Sequence, residues 1–237
     1  MQSFNEITFK VIARIKSDFP DKFGIPRQSG LLKNLRSTIV FEPEFRNADA
    51  LRGLEGFSHL WLLWIFSENV RDTWKPTVRL PRLGGNTRLG VFATRSSFRP
   101  NPLAMSCVKI ECVNLTGEGA PSITVSGADL MDGTPSVDIK PYLPYADSVS
   151  EATGGFAEAV RFKKLDVDFA AEAQVAIDEQ FPENKKAALV ELLSEDPRPA
   201  YQRSADRIYG IRFAGFEIKF QVQGDHLTVV AILPLQA

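Results

Sequence analysis

Between residues 57 and 139 the chain reads as many short strand-like apolar runs separated by glycine and proline turns. The run Phe57 to Phe66 is apolar on all sides and rich in aromatics, which predicts a buried strand. Thr77 to Leu80 and Leu89 to Thr94 flank a Gly84–Gly85–Asn86 turn. Met105 to Leu115, Ser122 to Ser126 and Val137 to Ile139 follow as further strands. Regular strand–helix alternation is missing, so a doubly wound α/β sheet is disfavoured and a sandwich or barrel is predicted. Upstream, Ile7, Phe9, Val11, Ala13 and Ile15 alternate as in a strand, until Pro20 and Gly24–Ile25–Pro26 break the pattern into a loop. Asn47 to Leu54 reads as a short helix with Asn47 as its N-cap.

Ser148 to Gly155 (SVSEATGG) reads as a linker, dividing the chain into a domain over 1–148 and a second over 149–237. Past it, Phe169 to Phe181 and Glu183 to Ser194 have helical spacing, with Leu189, Leu192 and Leu193 on one stripe. Ile208 to Phe213, Phe216 to Val222 and Leu227 to Leu233 read as strands joined at Ala214–Gly215 and Gly224–Asp225. The predicted fold class is mainly β, with a small α+β domain at the C-terminal end.

The formal net charge is −1, so whole-molecule charge draws the chain neither to RNA nor to membranes; a nucleic-acid surface needs segregated charge. Cys107, Cys112, His59 and His226 are the only cysteines and histidines, and their scatter does not fit a zinc site, so no metal is expected. Two thiols and no export signal fit a reducing cytosol, and the expected location is cytoplasmic. The longest apolar run, Leu60 to Phe66, is too short to span a bilayer. Cys107 and Cys112 alternate with apolar residues, as buried structural thiols do, and His59 reads as a satisfied core histidine.

From Thr73 to Ile110 the charges have one sign. Lys75, Arg79, Arg82, Arg88, Arg95, Arg99 and Lys109 occur there with no Asp or Glu. Guanidinium forks match phosphate or carboxylate oxygens, so the stripe is either an anion-binding face or a solvated basic face paired with acids elsewhere. Asp129, Asp132 and Asp138 cluster about Gly133: such carboxylates accept hydrogen bonds from a ribose or an amino group, or cap their own turns. Pro26–Arg27–Gln28 joins a fixed backbone to two polar side chains. No G-x-S-x-G, Walker or G-x-G-x-x-G motif is present, so residue chemistry alone names neither a methyltransferase nor a catalytic base.

Taken together, several motifs resemble the TsaA-like family of S-adenosylmethionine-dependent tRNA methyltransferases. They are Pro-Arg-Gln at 26–28, Arg-Gly-Leu-Glu-Gly-Phe-Ser-His-Leu-Trp at 52–61 and Pro-Arg-Leu-Gly-Gly-Asn at 81–86. Gly-Val-Phe-Ala-Thr-Arg-Ser at 90–96, Phe-Arg-Pro-Asn-Pro at 98–102, Asp-Gly-Thr-Pro at 132–135 and Asp-Ile-Lys-Pro-Tyr-Leu-Pro at 138–144 continue the series. Asp-Pro-Arg-Pro-Ala-Tyr at 196–201 looks like the family's bacterial C-terminal extension.

The resemblance implies a single antiparallel β-barrel holding S-adenosylmethionine near a homodimer interface. It implies a tRNA substrate: N6 of threonylcarbamoyladenosine beside the anticodon of a threonine tRNA. The donor is expected among Pro26, Arg27, Gln28, Phe66, Ser67, Glu68, Arg95, Asp129, Leu130, Met131, Asp132, Gly133 and Thr134. Arg79, Arg82, Arg88, Arg99, Asp196, Arg198 and Tyr201 are the expected tRNA contacts. Two positions depart from the pattern: Ser67 follows Phe66 where the family often has His, and Ala104 replaces a frequent Gly. The rival expectations are a non-catalytic RNA- or nucleotide-binding module and a methyltransferase with another substrate. A chain cut after Asp147 is expected to bind S-adenosylmethionine nearly normally yet fail to methylate tRNA.

Overall fold

The computed structural model describes residues 6–70, 73–79, 87–158, 164–199, 204 and 206–235. The first part of the chain contributes β1 (Ala13–Lys16), β2 (Arg36–Phe41), β3 (His59–Ile65), β4 (Thr77–Arg79), β5 (Arg88–Gly90), β6 (Leu103–Asn114), β7 (Ser122–Ser126) and β8 (Pro135–Pro141). Six of these close a barrel in the order β1-β2-β7-β6-β3-β8, with every pairing antiparallel. Closure pairs both edges of each strand, which removes the exposed edge that a short sheet would offer to other chains. Ile15, Ile39, Leu60, Leu62, Val108, Ile123 and Val125 fill the interior. The remaining two strands, β4 and β5, form a separate hairpin outside the barrel.

The run around β3 is buried on one face only. Leu60, Leu62 and Trp64 point inward, while His59, Trp61, Leu63 and Ile65 are half-buried on the outside. β6 continues this outer face, pairing Cys107 with Trp61, Met105 with Leu63 and Leu103 with Ile65. A register shift between Ile110 and Cys112 then turns Val113 inward and leaves Cys112 exposed. Cys112 is therefore not a buried thiol. His59 is satisfied, 2.9 Å from the Ser58 hydroxyl through Nδ1, but it lies on the outer face and not in the core.

The alternation at the amino end starts a strand only at Ala13, and Ile7 and Phe9 are exposed. β2, which the pattern reading passes over, alternates with Ser37, Ile39 and Phe41 inward. Asn47 caps a 3₁₀ turn over Ala48–Leu51, its side chain accepting the Asp49 amide at 3.0 Å.

The second part comprises β9 (Asp166–Phe169), α2 (Ala171–Glu179), α3 (Glu183–Ser194), β10 (Tyr209–Phe213), β11 (Phe216–Gln223) and β12 (His226–Pro234); α1 (Pro144–Asp147) is one turn between the two parts. The sheet order is β10-β11-β12-β9, with β9 parallel to β12. Three strands are legible in the sequence; the fourth, Asp-Val-Asp-Phe, is too short and too charged to announce itself. No described helix is long and apolar enough to cross a membrane.

The core under this sheet includes three residues from the loop joining β1 to β2. Phe19, Leu32 and Leu35 are fully buried with Ile177, Leu189, Leu193, Phe213 and Phe220. Side chains of this size contribute about 1.5–3 kcal/mol each on full burial, so the loop is tied firmly to the second core. Polar contacts line the same seam. The Ala214 amide donates to the Asp18 carbonyl at 3.0 Å, Lys185 pairs with Asp18, and the Asn34 side chain donates to Glu191 at 2.7 Å. Gly24, at φ +84°, passes so close to β10 that an added Cβ would meet Ile211 Cγ2 at 3.0 Å. The loop carrying Pro26–Arg27–Gln28 is thus held by the second part of the chain.

Candidate functional site

Where the β1–β2 loop meets the ends of β3 and β6, a cavity of about 500 Å³ opens. Pro26, Arg27 and Gln28 form one wall and Phe66, Ser67 and Glu68 the opposite one. Arg95, Asp129 and Thr134 add polar groups to the lining and Met131 an apolar one, with Leu63, Ile65, Leu103 and Met105 at the side toward the outer barrel face. The Phe66 amide donates to the Pro102 carbonyl at 2.8 Å and the Asn69 amide to the Phe66 carbonyl at 3.0 Å, which turns the chain sharply after β3. Phe66 packs edge-on against Trp64 with ring centroids 4.5 Å apart. Ser67 starts this turn and lines the cavity at the position where the motif comparison notes a frequent histidine.

Asp129 is the carboxylate set deepest in this wall. Its Oδ1 accepts the Ser106 hydroxyl at 2.6 Å, and the Ser106 oxygen accepts the Trp64 indole N–H at 3.0 Å. Burial pushes the Asp129 carboxyl above its ordinary pKa; the Ser106 bond, backbone amides and the nearby Arg95 guanidinium act in the opposite direction. The Gln28 side-chain carbonyl accepts a hydrogen bond from Arg95 Nη1, so the 26–28 loop and Arg95 are joined across the cavity. The Trp64–Ser106 relay has no local sequence signal: Ser106 is an unremarkable strand serine until the barrel closes.

The other residues of the Asp129–Thr134 segment, a loop between β7 and β8, have separate roles. Leu130 is buried among the barrel core residues. Asp132 Oδ1 accepts the Ser17 amide at 2.9 Å and the Gly133 carbonyl accepts Arg14 Nη1 at 3.1 Å, so both secure the loop and neither lines the cavity. Gly133, at φ +74°, supplies the left-handed turn that returns the chain into β8.

A second, larger concavity of about 1470 Å³ runs from this cavity across the β4–β5 hairpin. The two share Arg27, Gln28, Asn69, Thr94, Arg95 and Arg99 at their common rim. Lys75, Arg79 and Arg88 line the groove, and no Asp or Glu does among the described residues. Lys75, Arg79, Arg88, Arg95 and Arg99 of the one-signed stripe therefore come together in space, whereas Lys109 pairs with Glu111 at 3.1 Å. Arg99 donates to the Thr94 carbonyl at 3.1 Å and Arg88 to the Thr77 hydroxyl at 3.3 Å. Arg82 lies outside the described residues, as does the Gly84–Gly85–Asn86 turn. Four aromatic rings also line the groove: Phe92 and Phe98, which belong to the 90–96 and 98–102 motifs, and Trp74 and Phe156, which no quoted motif contains. Phe156 comes from just past the segment read as a linker.

Asp196 and Arg198 line neither concavity. Arg198 makes a bidentate pair with Asp196, Nε to Oδ1 at 2.7 Å and Nη2 to Oδ2 at 2.9 Å, and Asp196 helps keep its guanidinium protonated. Asp196 takes a left-handed conformation, φ +51°, and its carbonyl accepts Arg27 Nη2 at 2.6 Å. The contact from this hexapeptide to the cavity therefore runs through Arg27. Tyr201 lies outside the described residues.

Comparison with known proteins places this geometry among relatives. Residues 14–148 match the family model of the tRNA-methyltransferase O N-terminal domain, and residues 162–235 match that of the TrmO C-terminal domain. A curated tRNA (adenine(37)-N6)-methyltransferase of Escherichia coli (strain K12) is 39% identical over 239 residues, covering 99% of this chain and 100% of that protein. A putative S-adenosylmethionine-dependent methyltransferase RcsF of Pseudomonas aeruginosa is 43% identical over 211 residues, 87% of this chain and 89% of that protein. The crystal structure of TrmO from Pseudomonas aeruginosa superposes with a TM-score of 0.79 at 32% identity, covering 97% of this chain and 99% of that one.

Proposed function

The chain belongs to the tRNA-methyltransferase O family, and on that premise we propose that it methylates N6 of the adenosine at position 37 of tRNA with S-adenosylmethionine as donor. More narrowly, the proposed substrate is threonylcarbamoyladenosine in a threonine tRNA, in the cytoplasm. The observation that carries this reading is the continuity of the cavity with an all-basic groove through the shared rim at Arg95 and Arg99. A small donor and a large anionic acceptor need adjoining sites of that kind.

The cavity's residues fit the donor. Its volume is in the range of small-ligand sites. Trp64 and Phe66 offer an aromatic wall for adenine, and Asp129 offers a carboxylate for an ammonium or ribose hydroxyl. Arg95 suits the donor's carboxylate, and backbone groups at 26–28 and 66–68 remain for the purine edge. When bound, S-adenosylmethionine supplies an electrophilic sulfonium methyl, and its transfer to N6 leaves a neutral thioether and releases one proton. The protein's part is to align that nitrogen, a contribution on the order of 7–11 kcal/mol at best. Asp129 is assigned to positioning, since Ser106 and the wall hold its carboxyl in place.

Asp196 and Arg198 enter this reading as the support for Arg27, which lines both concavities. The first part of the chain, 1–148, is read as the donor-binding domain and 149–237 as the tRNA-facing one. A homodimer is also proposed. Trp61, Leu63, Ile65, Leu103, Met105 and Cys107 form an apolar outer face beside the cavity, with Met105 53% exposed in mid-strand. A second copy seated there would close the cavity's apolar side.

Nucleoside mass spectrometry of threonine tRNA from cells with and without this protein tests the proposal. Loss of the N6-methyl form of threonylcarbamoyladenosine on deletion is expected. An unchanged nucleoside profile would remove the substrate assignment.

A further inference from the structure

The groove is basic, and it is also aromatic in a way that phosphate binding does not require. Trp74 is 51% exposed and Phe92 71% exposed, and their rings lie 6.0 Å apart at 36°. A single exposed apolar side chain is ordinary, but two exposed rings packed side by side within a basic groove make a contiguous patch of the kind that marks an interaction site. The local geometry holds them there. The Val91 amide donates to the Pro76 carbonyl at 2.9 Å, and the Thr94 hydroxyl donates to the Val91 carbonyl at 2.9 Å. Val91 is fully buried at the start of this 3₁₀ turn, which forces its neighbour Phe92 outward beside Trp74.

We propose that Trp74 and Phe92 form a stacking platform for unpaired bases on either side of the target nucleotide. The groove would then read single-stranded RNA by face as well as by phosphate. The chemistry follows from what surrounds the rings. Lys75, Arg79 and Arg88 flank them with no described acid in the lining, which fits a polyanion. A helical duplex hides its base faces, so an exposed aromatic pair gains nothing from it; an open loop offers a π-face at every nucleotide. The groove joins the donor cavity at Arg95 and Arg99, so a base placed at the cavity mouth leaves its neighbours along the groove. This inference rests on the tRNA reading above, and it adds a requirement for an unpaired strand.

The test measures binding of an anticodon stem-loop RNA, and of a blunt, fully paired RNA duplex with the same number of nucleotides, by fluorescence anisotropy over a salt series. The expected result is that W74A/F92A weakens stem-loop binding by about tenfold or more. The slope against salt should stay unchanged and S-adenosylmethionine binding should be intact by calorimetry. W74F/F92Y, which keeps both ring faces, should bind near the wild-type level. R88A should instead flatten the salt slope by about one unit. Wild-type stem-loop affinity in W74A/F92A, with R88A still altered, overturns the stacking platform and leaves the basic groove. Equal wild-type affinity for stem-loop and paired duplex also overturns it. Failure of the wild-type protein to bind either RNA removes the tRNA reading together with the platform.

Discussion

Ser106 donates its hydroxyl to Asp129 across 2.6 Å while accepting the indole of Trp64 at 3.0 Å, so a strand serine deep in the barrel fixes the carboxylate of the cavity wall. Burial raises the Asp129 pKa in the folded protein, whereas in the unfolded chain it sits near the ordinary value of about 3.9. Below that value the group is protonated in both states and costs nothing. As pH rises toward the folded value, the unfolded chain ionises first and stability falls. Asp129→Asn is therefore expected to raise the melting temperature at neutral pH in the absence of donor. The gain should shrink to nothing in acid below the ordinary aspartate range. Thermal melts from pH 3 to 8 check this, and a gain that persists in acid would assign it to another cause. Ser106→Ala should act oppositely, removing the bond that holds the carboxyl's pKa down and stranding the buried Trp64 N–H at about 1–3 kcal/mol.

The same carboxylate should matter for the donor. Hydrogen bonds to charged groups contribute about 1.5–3 kcal/mol, which corresponds to roughly 10- to 150-fold in affinity. Asp129→Ala and Arg95→Ala are each expected to weaken S-adenosylmethionine binding within that span by calorimetry. Wild-type affinity in both variants would place the donor elsewhere.

The seam between the two parts of the chain changes what truncation should do. Residue patterns suggest that the barrel binds the donor unaided, but Phe19, Leu32 and Leu35 are buried in the second core, and Gly24 lies against Ile211. A chain ending at Asp147 loses that cover, along with the partner of Arg27. It is expected to bind S-adenosylmethionine poorly, because Pro26–Arg27–Gln28 is no longer held. Gly24→Ala makes the point within the full chain. It puts a Cβ into Ile211 at a positive φ and should lower stability by about 1 kcal/mol or more, with a parallel loss of donor affinity. Normal donor binding by the truncated chain would show that the loop holds its shape alone.

What the sequence shows and hides follows from this arrangement. β3, β6, β7, β10, β11 and β12 are legible because each is a short run rich in apolar or aromatic residues, most of them set off by glycine or proline. The cavity walls at 26–28, 66–68, 95 and 129 are found only by motif resemblance, since four separate chain segments meet there and no single one carries a pattern. β9 and Ser106 stay hidden for a related reason. β9 is four residues long and exists because β12 and α3 need covering, and Ser106 acquires its role only when β3 lies beside β6. Trp74 and Phe92 stand in the basic stretch with nothing in the sequence to mark them as a pair, because Phe92 is turned outward beside Trp74 only when Val91 is drawn into the interior.

The apolar outer face of β3 and β6 makes an oligomer prediction. Light scattering should give about twice the 26.3 kDa chain mass at micromolar concentration. Trp61→Arg, placed on the outer face and off the cavity lining, should shift the protein to monomer with little change in barrel melting. A wild-type protein that is monomeric at micromolar concentration would leave that face without its proposed occupant.

Arg198 provides the last prediction, because two roles for it differ in what they make measurable. If it gripped an RNA phosphate, replacing it would flatten the salt dependence of tRNA binding by about one unit and leave the fold alone. Its fork is instead engaged at both ends with Asp196, and both side chains are largely buried, 10% and 14% exposed. Arg198→Met would take from the Asp196 carboxylate its bidentate guanidinium partner, and removing one partner of such a buried pair costs about 3–5 kcal/mol. A clear fall in melting temperature is expected with the salt slope retained. Asp196→Asn combined with Arg198→Met removes the charge that the guanidinium balanced, and Asn tolerates the left-handed backbone at 196. That double variant should recover much of the lost stability. Its catalytic rate then reports on Arg27 alone, whose link to the 196 carbonyl survives the exchange of side chains. A flattened salt slope at unchanged melting temperature in Arg198→Met would return Arg198 to the RNA surface.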